Sequence, residues 1–277
     1  MQSPAVPLSA LTAPKHWTAI DFISDLHLQR SDQLTFQAWR DYMARTTANA
    51  IFILGDLFEV WVGDDVLSQS PTEPATSRQH HFEALCAQIL LNASLQHDVF
   101  FMHGNRDFLF LDEAAKTCGL RRLNDPCRLT FGQQHILLSH GDSLCLADTD
   151  YMAFRAEVRS DAWQEAFLGK PLAQRMQIAV ELRAHSEARK KNETSASYAD
   201  VNHDLALQWL TDANSRHLIH GHTHKPADHK LGPGLIRHVL SDWDAGAVPC
   251  RAEVLRLTLD ACSDDVNAQR LPVSSLG

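Results

Sequence analysis

The sequence predicts an α/β sandwich with an inserted helical cap, and three observations predict it. Short apolar runs recur along the 277 residues, stretches of helical periodicity separate them, and one long segment carries helical text alone. Alternating strands and helices build layered domains around a common core. With 44% hydrophobic residues, the chain is large enough for one such domain and an insertion.

In chain order, residues 1–17 are rich in Pro and Ala and are expected to form a disordered extension. They contain no basic segment followed by an unbroken apolar run, so no signal peptide is expected. The first apolar run, 19–23, leads into Ser24-Asp25-Leu26-His27. Leu34, Phe36, Trp39 and Met43 then recur on one helical face. The run 50–54 leads into Gly55-Asp56-Leu57-Phe58-Glu59, and Phe82, Leu85, Ile89 and Ala93 mark a second helix. The run 99–102 precedes Gly104-Asn105-Arg106-Asp107, and 136–138 precedes His140-Gly141-Asp142.

From about 146 to 199 no strand is convincing. Helical stretches at 150–159, 162–168 and 171–191 take its place, with Leu172, Met176, Ala179 and Arg183 on one face. This is the expected cap, inserted into a core of residues 18–145 and 200–260. Leu205, Leu207, Trp209 and Leu210 belong to a helix opened by Asp200 or Asn202. The last ligand-bearing run, 218–219, leads into Gly221-His222-Thr223-His224. Residues 235–240 and 252–259 are expected to form an antiparallel pair, and 261–277 a loose tail.

Five runs thus end in Asp, His or Asn, and functional groups at strand carboxyl ends share one rim of a sheet. Asp25 and His27, two apart on an extended segment, point to one side. Asp56 offers two carboxylate oxygens and can bridge two cations. Asn105 is a neutral oxygen ligand, and the paired His222 and His224 are the strongest single piece. Oxygen and nitrogen donors without Cys suit Mn²⁺, Fe²⁺ or Zn²⁺ better than Ca²⁺. Seven donors exceed one tetrahedral ion and suit two ions sharing a carboxylate, as in two-metal hydrolysis at phosphorus.

Composition narrows the classes further. A formal net charge of −9 argues against a nucleic-acid binder. Six Cys with no C-x-x-C pair fit reduced thiols, hence a cytoplasmic setting. No window approaches the roughly 20 apolar residues of a membrane span. The basic run Arg183, Arg189, Lys190 and Lys191 in an acidic chain suits an anionic substrate.

Asp-x-His, Gly-Asp, Gly-Asn, His and Gly-His-x-His, in that order, resemble the signature of the calcineurin-like metallophosphoesterases over about residues 18–260. The long stretch from Gly55 to Asp65 and the His103–Asp107 and His140–Cys145 segments more narrowly resemble the UDP-2,3-diacylglucosamine pyrophosphohydrolases of bacterial lipid A synthesis. The resemblance implies a metallophosphoesterase-type sandwich of two β-sheets flanked by helices. It implies one metal held by Asp25, His27, Asp56 and His224, and another by Asp56, Asn105, His140 and His222, with Mn²⁺ the expected ion. Catalytic roles fall on Asp56, Asn105, Arg106 and His222. Substrate contacts fall on Asn105, Arg106, Asp148, Ser186 and His222, with Lys190 and Lys191 as phosphate contacts.

Many members of the wider group carry His where this chain has Arg106. A guanidinium stays protonated, so its expected work is stabilising charge on phosphate oxygens. The implied reaction is hydrolysis of the diphosphate of UDP-2,3-diacylglucosamine to UMP and 2,3-diacylglucosamine 1-phosphate. The implied setting is peripheral, at the cytoplasmic face of the inner membrane. The rival expectation is a related phosphoesterase acting on nucleotide diphosphates or small phosphodiesters.

Overall fold

The computed structural model describes residues 8–68, 77–192, 200–260 and 265–276, without the side chains of 77–81 and 184–192. Two six-stranded mixed sheets face each other. The first holds β2 (Ala19–Ile23), β3 (Ala50–Leu54), β4 (Asp98–Met102) and β5 (Arg121–Leu123), parallel in that order. It is extended beyond β2 by antiparallel β11 (Glu253–Leu259) and β12 (Val266–Pro272). The second runs β1 (Ser9–Thr12), β6 (Cys127–Phe131), β7 (Gln134–Leu138), β8 (His217–His220), β10 (Leu235–Val239) and β9 (Ala227–Gly232). The expected α/β sandwich is the fold observed.

The strand text explains the layers. Successive side chains point to opposite faces, and β2, β3 and β4 are apolar on both. Ile20, Phe22, Phe52, Leu54, Phe100 and Met102 meet Leu129, Ile136, Leu138 and Ile219 of the other sheet. On the outer face Ile23, Ile51, Ile53, Val99 and Phe101 pack under α1 (Gln33–Arg45), α2 (Ser77–Ser94) and α3 (Asp112–Thr117). The outer face of the second sheet carries α7 (His203–Asp212), through Ala206 and Leu210 against Leu137 and Leu218.

Helix ends obey local chemistry. The Asp32 carboxylate accepts the Thr35 N–H at 3.0 Å and opens α1. Asn202 caps α7 by accepting from Leu205 N–H at 2.9 Å, while Asp200 pairs with Arg237. Residues 146–192 form α4 (Thr149–Val158), α5 (Asp161–Leu168) and α6 (Leu172–Asn192) between β7 and α7. No described helix is long and apolar enough to cross a membrane.

Four expectations need correction. Residues 8–17 are not loose: β1 pairs in parallel with β6, and Trp17 is buried against Phe52 and Phe100. The C-terminal stretch is not loose either, since 266–272 pair along the whole of β11 and Val273 is buried. The segments 235–240 and 252–259 do not pair with each other. Instead β10 lies between β8 and β9, and β11 between β2 and β12, so the intervening loop crosses from sheet to sheet. Leu34 and Leu85 face solvent, because α1 turns Thr35 and Tyr42 inward and α2 buries Phe82, Cys86, Leu90 and Ala93.

Candidate metal centre

The carboxyl ends of β2, β3, β4, β7 and β8 meet at one rim, so residues remote in sequence become neighbours. Among the described residues six non-glycines have positive φ, and five of them are Asp25, His27, Asp56, His222 and His224. This left-handed region is disfavoured for side chains other than Gly, at roughly 1–2 kcal/mol each. Strain is therefore concentrated where side chains must turn sharply off a strand end into the rim.

Backbone and side-chain bonds over-determine that conformation. Asp25 N–H donates to Gly55 O at 3.1 Å and His27 N–H to Asp56 O at 3.0 Å. Asp25 Oδ2 accepts from Ser24 Oγ at 2.6 Å and from His222 N–H at 2.9 Å, joining the first and last motifs. Asp56 Oδ1 accepts the Arg106 N–H at 2.8 Å. Gly104 touches this carboxylate closely: a Cβ there would lie 2.0 Å from Asp56 Oδ1.

The free faces of these groups converge. His27 Nε2 lies 3.4 Å from His224 Nε2, and His224 Nε2 lies 3.3 Å from Asp25 Oδ1. Asp25, His27 and His224 form one trio with ligand atoms within 4.8 Å of one another, and Asp25, Asp56 and His140 form a second. Asn105 Oδ1 is 3.1 Å from His140 Nε2 and 2.9 Å from His222 Nδ1. His140 Nε2 is 3.8 Å from Asp56 Oδ1. All seven residues expected as ligands are thus brought together; Asp25 belongs to both trios, and Asp56 to the one with His140.

The donor set fits divalent cations. Asp25 Oδ1 is buried and accepts no hydrogen bond, an orphan that calls for an ion. His140 Nδ1 is 2.9 Å from Leu54 O, so it is the N–H, and Nε2 faces Asn105 Oδ1 with its lone pair when the ring is neutral. Burial alone would lower the His140 pKa, but the Asp56, Asp25 and Asp142 carboxylates outweigh it and push it up to about 9. Burial would likewise raise Asp25, yet His224, His140 and His27 hold it far below the usual carboxylate range. The pocket demands positive charge at its centre, which metal ions supply.

Other predicted contacts are distributed differently. The Arg106 Nε–H is buried beside the cluster and has no hydrogen-bond partner. The Asp148 carboxylate accepts the Tyr151 N–H at 3.0 Å as the N-cap of α4, at the entrance to the cap. Ser186, Lys190 and Lys191 lie within α6, and their side chains are outside the described residues.

Sequence reasoning gave no role to Asp107. Its fully buried carboxylate accepts from Leu57 N–H at 2.7 Å, Gly104 N–H at 2.8 Å and Asp56 N–H at 3.3 Å. It locks the two loops that present Asp56 and Asn105. Burial and the Asp56 charge push its pKa up to about 7. The only signal was its place two residues after Asn105. Asp142 also went unassigned. It accepts from Tyr151 Oη at 2.7 Å and Arg155 Nε at 2.7 Å, and with Arg159 anchors α4 beside the centre.

Residues 18–226 match the family model described as calcineurin-like phosphoesterase. A protein of Aromatoleum aromaticum named UDP-2,3-diacylglucosamine hydrolase is 42% identical over 227 residues, covering 80% of this chain and 88% of its own. One of the same name from Chromobacterium violaceum is 40% identical, covering 82% and 92%. Another from Stenotrophomonas maltophilia is 38% identical over 254 residues, covering 87% and 98%. Motif order, converging ligands and these relatives agree: the chain belongs to the calcineurin-like phosphoesterase family.

Proposed function

We propose that this protein hydrolyses the diphosphate of UDP-2,3-diacylglucosamine to UMP and 2,3-diacylglucosamine 1-phosphate in lipid A biosynthesis. The observation that carries the reading is identity near 40% over most of both chains to relatives named for this hydrolysis. The centre supplies the chemistry such a bond needs. Two divalent cations, Mn²⁺ in our reading, neutralise non-bridging phosphate oxygens and make water a competent nucleophile when bound.

The chain's own groups do the rest. Asp25, His27 and His224 would hold one ion, and Asn105, His140 and His222 the other, with Asp56 between them. Asn105 binds without adding negative charge near an anionic substrate. The unpartnered Arg106 Nε–H is a donor for a phosphoryl oxygen whose charge grows during attack. In this reading Asp148, the N-cap of α4, meets polar groups of the substrate together with Ser186, Lys190 and Lys191. Leu146, Phe154, Val180 and Leu182 leave apolar surface exposed on the cap, which supports acyl-chain binding there. Each buried CH₂ contributes roughly 0.8 kcal/mol. The same surface and the α6 basic run support a peripheral site at the cytoplasmic face of the inner membrane.

The test is product analysis by mass spectrometry in ¹⁸O-water with Mn²⁺. UMP carrying the label, together with unlabelled diacylglucosamine 1-phosphate, is the expected outcome. Label in the sugar phosphate would move the attack to the other phosphorus, and no cleavage would remove the assignment.

A further inference from the structure

We propose that Glu59 couples docking of the cap to retention of the divalent cations, as a positioning residue shared by both. The proposal rests on the dinuclear reading of the centre and is independent of which diphosphate is cleaved.

Glu59 follows β3 in the loop that also carries Asp56. Its N–H donates to Leu28 O at 3.2 Å, and the residue is only 8% exposed. One carboxylate oxygen, Oε2, lies 3.0 Å from His27 Nδ1. The contact is an ion pair without hydrogen-bond alignment; its charge favours the proton on Nδ1 and leaves Nε2 turned toward Asp25 and His224, as a carboxylate behind a metal-binding imidazole does. The other oxygen, Oε1, lies 2.6 Å from Arg183 and 3.8 Å from Arg106. Arg183 belongs to α6. One carboxylate therefore orients an expected ligand and holds a cap helix.

A second acid of the same loop provides the contrast. Asp65 pairs with Arg175, about two turns earlier on α6, and among the described residues has no contact with the expected ligands. Arg175 also donates to Val62 O. Among the described residues, the helix is thus pinned by both acids of this loop, and of these two pins it is the Glu59 one that reaches the centre. Linkage is reciprocal: if docking of α6 tightens the ions, the ions must secure α6 by the same factor.

The test measures Mn²⁺ affinity of the apo protein by calorimetry, and amide exchange of residues 172–183 with and without Mn²⁺. In the wild type, loading is expected to slow exchange in that helix. Glu59→Ala should weaken Mn²⁺ about ten- to a hundredfold and abolish the slowing. Glu59→Gln keeps a carbonyl for His27 but offers Arg183 no charge. It should retain affinity within about tenfold while losing the Mn²⁺-dependent slowing, and it carries the test if the Ala variant does not fold. Arg175→Ala should speed exchange in both states yet preserve the response to Mn²⁺. Unchanged Mn²⁺ affinity in Glu59→Ala, or a helix response that survives Glu59→Gln, overturns the coupling alone. A wild type that takes up no Mn²⁺ removes the dinuclear reading and the coupling with it.

Discussion

At the residue scale, the site is a set of ordinary side chains on an unusual backbone. Asp25, His27, Asp56, His222 and His224 were legible because hard oxygen and imidazole donors ended apolar runs. Their positive φ was not legible, since non-Gly types give no sign of it. Asp107 and Glu59 escaped for a related reason: a carboxylate holding backbone N–H groups or an imidazole reads like any solvated acid. Removal of a ligand is expected to empty the centre. Asp25→Ala or His224→Ala should lower bound metal in elemental analysis while circular dichroism retains the α/β signal. Gly104→Ala places a methyl against the Asp56 carboxylate and should do the same without deleting any ligand. Arg106→Ala should reduce kcat/KM for the diphosphate by about 10²–10³ at unchanged metal content. Arg106→Lys should rescue little, because an ammonium does not reproduce the planar guanidinium fork.

At the scale of elements, the central strands announced themselves because both of their faces are buried. The edges did not. β12 is largely exposed and polar in text, Val-Asn-Ala-Gln-Arg-Leu-Pro, and its order comes from pairing with β11. β1 is likewise half-exposed and held by β6. Edge pairing is a tertiary decision that local periodicity does not encode. The cap helices read correctly as helices, but their anchors were invisible. The buried Asp142 carboxylate is held far below its usual range: burial opposes ionisation, and Arg155, Arg159 and His140 overcome it. Asp142→Asn keeps the shape and leaves Arg155 without its charge partner. Breaking a buried pair in this way costs about 3–5 kcal/mol. We expect exchange across 149–158 to accelerate more than exchange across β2–β4, as read by mass spectrometry. Equal acceleration in both would place Asp142 in the global core rather than at the cap.

At the scale of the whole molecule, packing against the strand ends holds imidazoles such as His103 and His220 largely away from water, and this sets an acid limit on stability. His103 illustrates the sign. Burial lowers its pKa to about 4, and Arg122 and Arg159 add to the effect despite the bond from its ring to Phe110 O at 2.6 Å. In the unfolded chain the same ring titrates near 6.5. Between those values the unfolded state binds the extra proton, so stability is fully present above about pH 6.5 and falls as pH drops toward 4. The span corresponds to a contribution on the order of 1–3 kcal/mol. His220, lowered to about 3 by burial, acts in the same direction. His140 has the opposite sign without metal: its raised pKa adds stability that is fully present below about pH 6.5 and is lost as pH rises through about 9. Metal ions remove that opposition by requiring a neutral ring. The metal-loaded protein should therefore lose thermal stability on acidification from pH 7 to 5 more steeply than the apo protein, measured as the shift in Tm. His103→Gln should flatten both profiles equally, because its proton is taken up by the unfolded chain and not at the centre.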